Sequence, residues 1–239
     1  MVQNHLMQIV SFLAMERPRD SSVDAMFEEK IRLFTAIPPL TPADVVRGQF
    51  RGYRGEEGVA PDSTVETFAA VRLTIDTPRW HGVPFFLRAG KNLPVTAVEV
   101  MIKLKGEPFL EPADHDREHR NYLRIRLSPE LLFAFGICVK VPGEALVGRD
   151  IEVLAHYHPP DQMLPYQRIL GDALRGETMV FAREKGVEQM WRIVDPVLDG
   201  ATPVHEYDPG SWGPAQADAL TAGWGGWHNP DGVHHPEEG

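Results

Sequence analysis

The sequence predicts an α+β protein: one large, mostly antiparallel β-sheet with helices packed on one face. Two observations lead there. The middle of the chain holds segments that alternate apolar and polar residues, and both flanks hold apolar residues at helical spacing. A third narrows the choice. No strand–helix–strand rhythm runs through the middle, and alternation means one buried and one wetter face, which favours antiparallel pairing.

The first elements are helical. In His5–Met15 the residues Leu6, Ile9, Val10, Leu13 and Ala14 fall on one helical side, and Pro18 stops the helix. Ser21 or Ser22 can cap a second helix from Val23 to about Ala36. Asp24, Glu28 and Glu29 come early in it and Lys30 and Arg32 later, as the helix dipole favours. Strands are expected at Val45–Phe50, Thr64–Asp76, Val83–Leu87, Val98–Lys105, Tyr122–Ser128, Leu132–Val141 and Ile151–His156. They should make a single antiparallel sheet of roughly six to nine strands. Helices return at Pro165–Arg175, ended by Gly176, and at Val187–Leu198, where Pro196 kinks or breaks the run. Pro214 can open a short helix reaching about Ala222. Residues 1–222 are expected to form the domain, with 223–239, rich in Gly and Pro, as a loose tail.

At 239 residues the chain can hold one large domain or two small ones. A formal charge of −10 argues against nucleic-acid binding, which needs a basic face, but permits a local basic pocket for a small phosphate ester. The single cysteine, Cys138, permits no internal disulfide and fits a reducing compartment. It reads as a buried, inert strand thiol. The apolar run Ile9–Met15 is too short and lacks the preceding basic residues of a signal peptide. Nothing approaches the roughly 20 apolar residues that cross a bilayer. The expectation is a cytoplasmic protein without nucleic-acid or membrane partners. His228, His234 and His235 in the tail lack metal-ligand spacing, so no metal is expected.

Seven stretches, in order, carry a resemblance: MVQNHLMQIVSFLAMERP (1–18), VVRGQFRGYRGEEGV (45–59), STVETFAAVRLTIDTPRWHGVPFFLRAGKNLP (63–94), VKVPG (139–143), PYQRILGDALRGE (165–177), WRIVDPVLD (191–199) and GSWGPAQADAL (210–220). Together they resemble the carboxy-terminal β+α domain of glucose-6-phosphate dehydrogenases. The resemblance implies oxidation of glucose 6-phosphate to 6-phosphogluconolactone with NADP, the first step of the pentose phosphate pathway. It also implies a homo-oligomer through the sheet, whose edge supplies half of the sugar-phosphate site.

His5, in Gln3-Asn4-His5, is similar to the family's general base, a role that suits histidine because its ordinary pKa lies near working pH. Lys91, in Arg88-Ala89-Gly90-Lys91, looks like the family's substrate-binding lysine, a point charge for a phosphate or sugar hydroxyl. Many relatives carry a second basic residue shortly after it; here Thr96 offers only a neutral hydrogen bond. Arg88 resembles a position that contacts a second, structural NADP in some relatives, and reads here as a partner for a carboxylate. Tyr166 and Arg168 read as structural, and Trp80, Trp191 and Trp212 as packing. No Gly-rich strand–turn–helix that would seat a dinucleotide is present, so the NADP site is expected in an amino-terminal domain absent from the sequence. Three arrangements stay open: part of a full-length dehydrogenase, a non-catalytic dimerisation or regulatory module that pairs with a full-length relative, or a partner of a separately encoded domain. In each, the chain alone is expected to be inactive.

Overall fold

The structure, a computed structural model, describes residues 1–105, 111–112, 121–157, 163–179 and 181–232. His234 and His235 lie outside them. The chain divides into two compact units, one of Met1–Pro94 with Met163–Trp224, the other of Val95–Gln162 with Gly225–Gly239. The class is α+β as expected, but the strands form two sheets, of four and five strands, where the alternation had suggested one. Alternation reports which face of a strand is buried and not which strands pair, so it does not separate the two sheets. After the third strand, Asn92 adopts a left-handed conformation (φ 52°) and Pro94 follows two residues later.

The first unit opens with a π-helical turn, Val2–Leu6, that runs into α1 (Met7–Ala14). Met7, Val10 and Ala14 face inward, and Trp80 Nε1 donates to the Ala14 carbonyl at 2.8 Å, closing the end of α1. α2 (Val23–Thr35) begins where Ser22 Oγ accepts from the Ala25 amide. At its end Arg192 donates to Phe34 O, in the last turn, at 2.8 Å and to Ile37 O, just beyond the helix, at 2.7 Å. β1 (Val45–Phe50), β2 (Phe68–Leu73) and β3 (Phe85–Gly90) pair antiparallel in sequence.

Further along the chain come α3 (Pro165–Arg175), ended by left-handed Gly176, and α4 (Glu184–Val194), which tightens at Asp195–Val197 around Pro196. β9 (Val204–Tyr207) then lies parallel to β1, giving the order β3-β2-β1-β9, and α5 (Asp218–Thr221) completes the unit. One apolar cluster joins Met7, Val10, Leu33, Phe34, Ile37, Val71, Leu73, Leu87, Met190 and Ile193, so α1, α2 and α4 cover one sheet face. Trp80 packs against this cluster. Trp191 does not: it is 43% exposed, because Met190, Ile193 and Val194 form the inward side of α4 and position 191 falls off that side.

The second unit is a sheet in the order β4-β6-β7-β8-β5, from β4 (Val98–Lys103), β5 (Glu111–Pro112), β6 (Tyr122–Ser128), β7 (Leu131–Lys140) and β8 (Val147–Tyr157). The register aligns Val100, Ile125, Phe133 and Ala155 in one row and Ile102, Leu123, Phe135 and Val153 in the next, so both rows share a face. Phe135 and Val153 are 54% and 53% exposed on it. The opposite face carries an ionic cluster. Buried Glu99 takes Arg126 Nε at 2.6 Å and Arg124 Nη1 at 3.3 Å on one oxygen, and His228 Nε2 on the other at 2.5 Å. Burial would raise the Glu99 carboxyl, but hydrogen bonds from His228 and Arg126 outweigh it and hold its pKa at about 2. Arg126 also donates to the Asp231 carbonyl at 3.1 Å, so residues 228–231 are tied to this unit although they form no helix or strand. Cys138 is half-buried; burial and the neighbouring Asp150 carboxylate both raise its thiol pKa, which disfavours the reactive thiolate.

Candidate active site

The first unit holds both predicted site residues. His5 sits in the π-helical turn, where Leu6 N reaches back to Met1 O at 3.2 Å. Such widened turns are uncommon and cluster at functional sites. The imidazole is exposed, and no described residue gives it a hydrogen bond or ion pair.

Its helix is well anchored. One turn on, Gln8 Oε1 accepts from Lys30 Nζ at 3.0 Å, and Gln8 Nε2 donates to Met190 Sδ at 3.7 Å. Lys30 is only 4% exposed and sits 3.5 Å from the Phe12 ring centroid. Burial without a carboxylate partner among the described residues pulls its pKa down to about 8.

Lys91 stands just past the end of β3. Its amide donates to Thr67 O at 2.8 Å, and its carbonyl accepts from Tyr207 Oη at 2.7 Å. The next carbonyl, of left-handed Asn92, accepts from the Gly210 amide at 2.7 Å. Gly90 is required by packing, since a Cβ there would meet Phe68 Cδ2 at 2.8 Å and Leu93 Cδ2 at 3.1 Å. The backbone is thus fixed while the Lys91 ammonium stays exposed, with no partner among the described residues. A rigid turn presenting a solvated ammonium can receive a phosphate or a sugar hydroxyl without reorganising. Neither a hydrogen bond nor an ion pair joins Lys91 to His5.

Arg88 stacks on the Trp212 ring at 4.8 Å; burial lowers its pKa to about 10, opposed by the Asp218 carboxylate. Tyr166 and Arg168 are exposed on α3, and Thr96 is exposed. His228 is engaged with Glu99, and no group of three or more His, Cys, Asp or Glu converges as a metal site among the described residues. No described helix is long and apolar enough to cross a membrane.

Sequence reasoning missed Tyr207 and Thr67. Tyr207 is 3% exposed, packed between Phe50 and Phe68 at ring centroid distances of 6.5 and 5.6 Å. Its stretch comes directly after Pro203 and is too short to show alternation, so nothing local announces it.

A family model described as glucose-6-phosphate dehydrogenase, C-terminal domain, matches residues 1–228. The chain belongs to that family. Glucose-6-phosphate 1-dehydrogenase 1 of Mycobacterium tuberculosis is 40% identical over 232 residues, covering 96% of the chain and 49% of that relative. The Aggregatibacter actinomycetemcomitans glucose-6-phosphate 1-dehydrogenase is 34% identical over 254 residues. A crystal structure of the Mycobacterium avium glucose-6-phosphate 1-dehydrogenase superposes with TM-score 0.86 at 39% identity, covering 96% of this chain and 50% of that one. A glucose-6-phosphate dehydrogenase in complex with its substrate glucose 6-phosphate matches with TM-score 0.79 at 28% identity. This dehydrogenase C-terminal domain therefore spans about half the length of the curated relatives it matches.

Proposed function

We propose that this domain is the substrate-binding and dimerisation part of an NADP-dependent glucose-6-phosphate dehydrogenase acting in cytoplasmic carbohydrate metabolism. Lys91 holds the sugar phosphate, and His5 takes the proton from the C1 hydroxyl. The observation that carries the reading is the pairing of a family match along residues 1–228 with an exposed histidine and a rigidly presented lysine in one compact unit. The relative with glucose 6-phosphate bound supports the substrate class.

The residues present do not fit NADP. Among the described residues, no strand leads through a Gly-rich turn into a helix amino terminus of the kind that receives a pyrophosphate. The cofactor is therefore assigned to a part of the enzyme outside them.

Dimerisation is assigned to the apolar face of the five-stranded sheet, where Phe133, Phe135, Val153 and Ala155 are exposed and Val100, Ile102, Leu123 and Ile125 are half-buried. A non-catalytic dimerisation module is the second reading, favoured by that same face because it needs neither His5 nor NADP.

His5→Ala in the dehydrogenase carrying this domain should lower turnover by roughly two to four powers of ten, the worth of a positioned general base. Near-normal turnover would refute the role of His5. Self-association without any turnover, even beside a nucleotide-binding partner domain, would favour the second reading.

A further inference from the structure

We propose that Tyr207 is a positioning residue for the sugar-phosphate site, acting through Thr67 and the backbone of Lys91. The inference rests on the reading of Lys91 as a substrate contact. A chain of hydrogen bonds joins the ends of β1 and β9 to the residues that flank β2 and β3. The Phe50 amide donates to Thr67 Oγ1 at 3.0 Å, Thr67 Oγ1 lies 3.0 Å from Tyr207 Oη, and Tyr207 Oη donates to Lys91 O at 2.7 Å. Thr67 holds the other side of the same residue, since its carbonyl accepts the Lys91 amide at 2.8 Å. Lys91 is thus gripped by its N–H and its C=O.

The grip matters because of the residue that follows. Asn92 sits at φ 52°, a conformation that asparagine adopts more readily than other non-glycine residues but still less readily than right-handed ones, so held carbonyls on either side fix it. Two successive carbonyls, of Lys91 and Asn92, are each held by a donor from the segment 207–210: Tyr207 Oη and the Gly210 amide. Tyr207 is itself fixed, with its carbonyl accepting the Arg51 amide at 2.8 Å and its ring wedged between Phe50 and Phe68. Without the phenol, the Lys91 carbonyl loses a buried donor and the adjoining peptide is free to rotate out of the left-handed turn. The ammonium then samples many directions, and the substrate must bear the cost of ordering it.

A lysine that contacts the phosphate end binds ground state and transition state alike, so its misplacement raises KM and spares kcat. Tyr207→Phe keeps the ring and removes only the donor. In the dehydrogenase carrying this domain it should raise KM for glucose 6-phosphate roughly tenfold with kcat within about a factor of two. Thr67→Val should raise KM in the same way, and Thr67→Ser, which keeps the hydroxyl, should restore the parent value. That rescue separates positioning from packing, and it decides the matter if Tyr207→Phe fails to fold. Lys91→Met serves as the reference. If it raises KM while Tyr207→Phe and Thr67→Val do not, the positioning role is overturned and the reading of Lys91 stands. If Lys91→Met leaves KM unchanged, that reading fails and the role of Tyr207 fails with it. A fall in kcat at fixed KM in Tyr207→Phe overturns the proposal as well.

Discussion

Replacing Lys30 by methionine should stabilise the protein at pH 7 and destabilise it at pH 10. The amine is 4% exposed and its pKa falls from 10.5 to about 8. At about 1.4 kcal/mol per pKa unit, holding the charge in the folded state costs about 3 kcal/mol. Methionine matches lysine in being long and unbranched, and it removes that cost. It also removes the hydrogen bond to Gln8 Oε1 and the contact with the Phe12 ring, about 1 kcal/mol each. The net gain at pH 7 is about 1 kcal/mol.

The sign reverses above pH 8 because the folded-state pKa is the lower one. Between pH 8 and 10.5 the unfolded chain binds more protons than the folded chain, so the parent protein gains stability as pH rises through that window. By pH 10 the gain is about 2.5 kcal/mol, and the methionine variant, lacking it, becomes the less stable protein. Urea unfolding of both proteins, monitored by circular dichroism at pH 7, 8, 9 and 10, gives the difference directly. Tyr122, Tyr207 and Cys138, whose pKa values are raised, titrate in both proteins and cancel. A difference that does not change between pH 7 and 10 would refute the depressed amine.

Three further outcomes are expected. Phe135→Asp should convert a sheet-mediated dimer to monomers in sedimentation velocity, since it puts a charge on the exposed part of an apolar row; an unchanged oligomer would move the interface elsewhere. Glu99→Gln should cost about 3 kcal/mol in urea unfolding, because Arg124, Arg126 and His228 lose their shared charge. The parent's Glu99 contribution should fade as pH falls from 4.5 towards 2, since its folded-state pKa lies below the unfolded one, and the variant should lack that slope. Gly90→Ala should cost about 1–3 kcal/mol in thermal unfolding, as the new methyl meets Phe68 and Leu93.

How far the sequence could be read depends on how local each signal is. α2, β6 and α3 were legible to within a residue or two because Ser22, alternation, Pro165 and Gly176 mark them within a few positions. The expected Thr64–Asp76 strand shrank to Phe68–Leu73; ahead of it, Ser63 O and Val65 O accept from the Gln49 side chain of β1 and from no backbone partner among the described residues. The division into two sheets depends on which strands pair, which the alternation of single segments does not report. β9 was missed because four residues after a proline carry no period, and its strand character comes from pairing with β1. At the site, His5 and Lys91 were reached through motifs. The grip on Lys91 was not, since Thr67 and Tyr207 stand 140 residues apart and meet only once the sheet is built.

That separation sets a timetable for the nascent chain. β1 and β2 can pair as soon as residues 45–73 have emerged, but the edge of β1 stays open until Val204–Tyr207 is made, after the whole Val95–Gln162 stretch. A ribosome pausing within that stretch would leave an uncapped β1 edge, a template for pairing with a neighbouring polypeptide. The same late segment delivers Tyr207 to Lys91, so the turn that presents the lysine is completed in the step that closes the sheet edge.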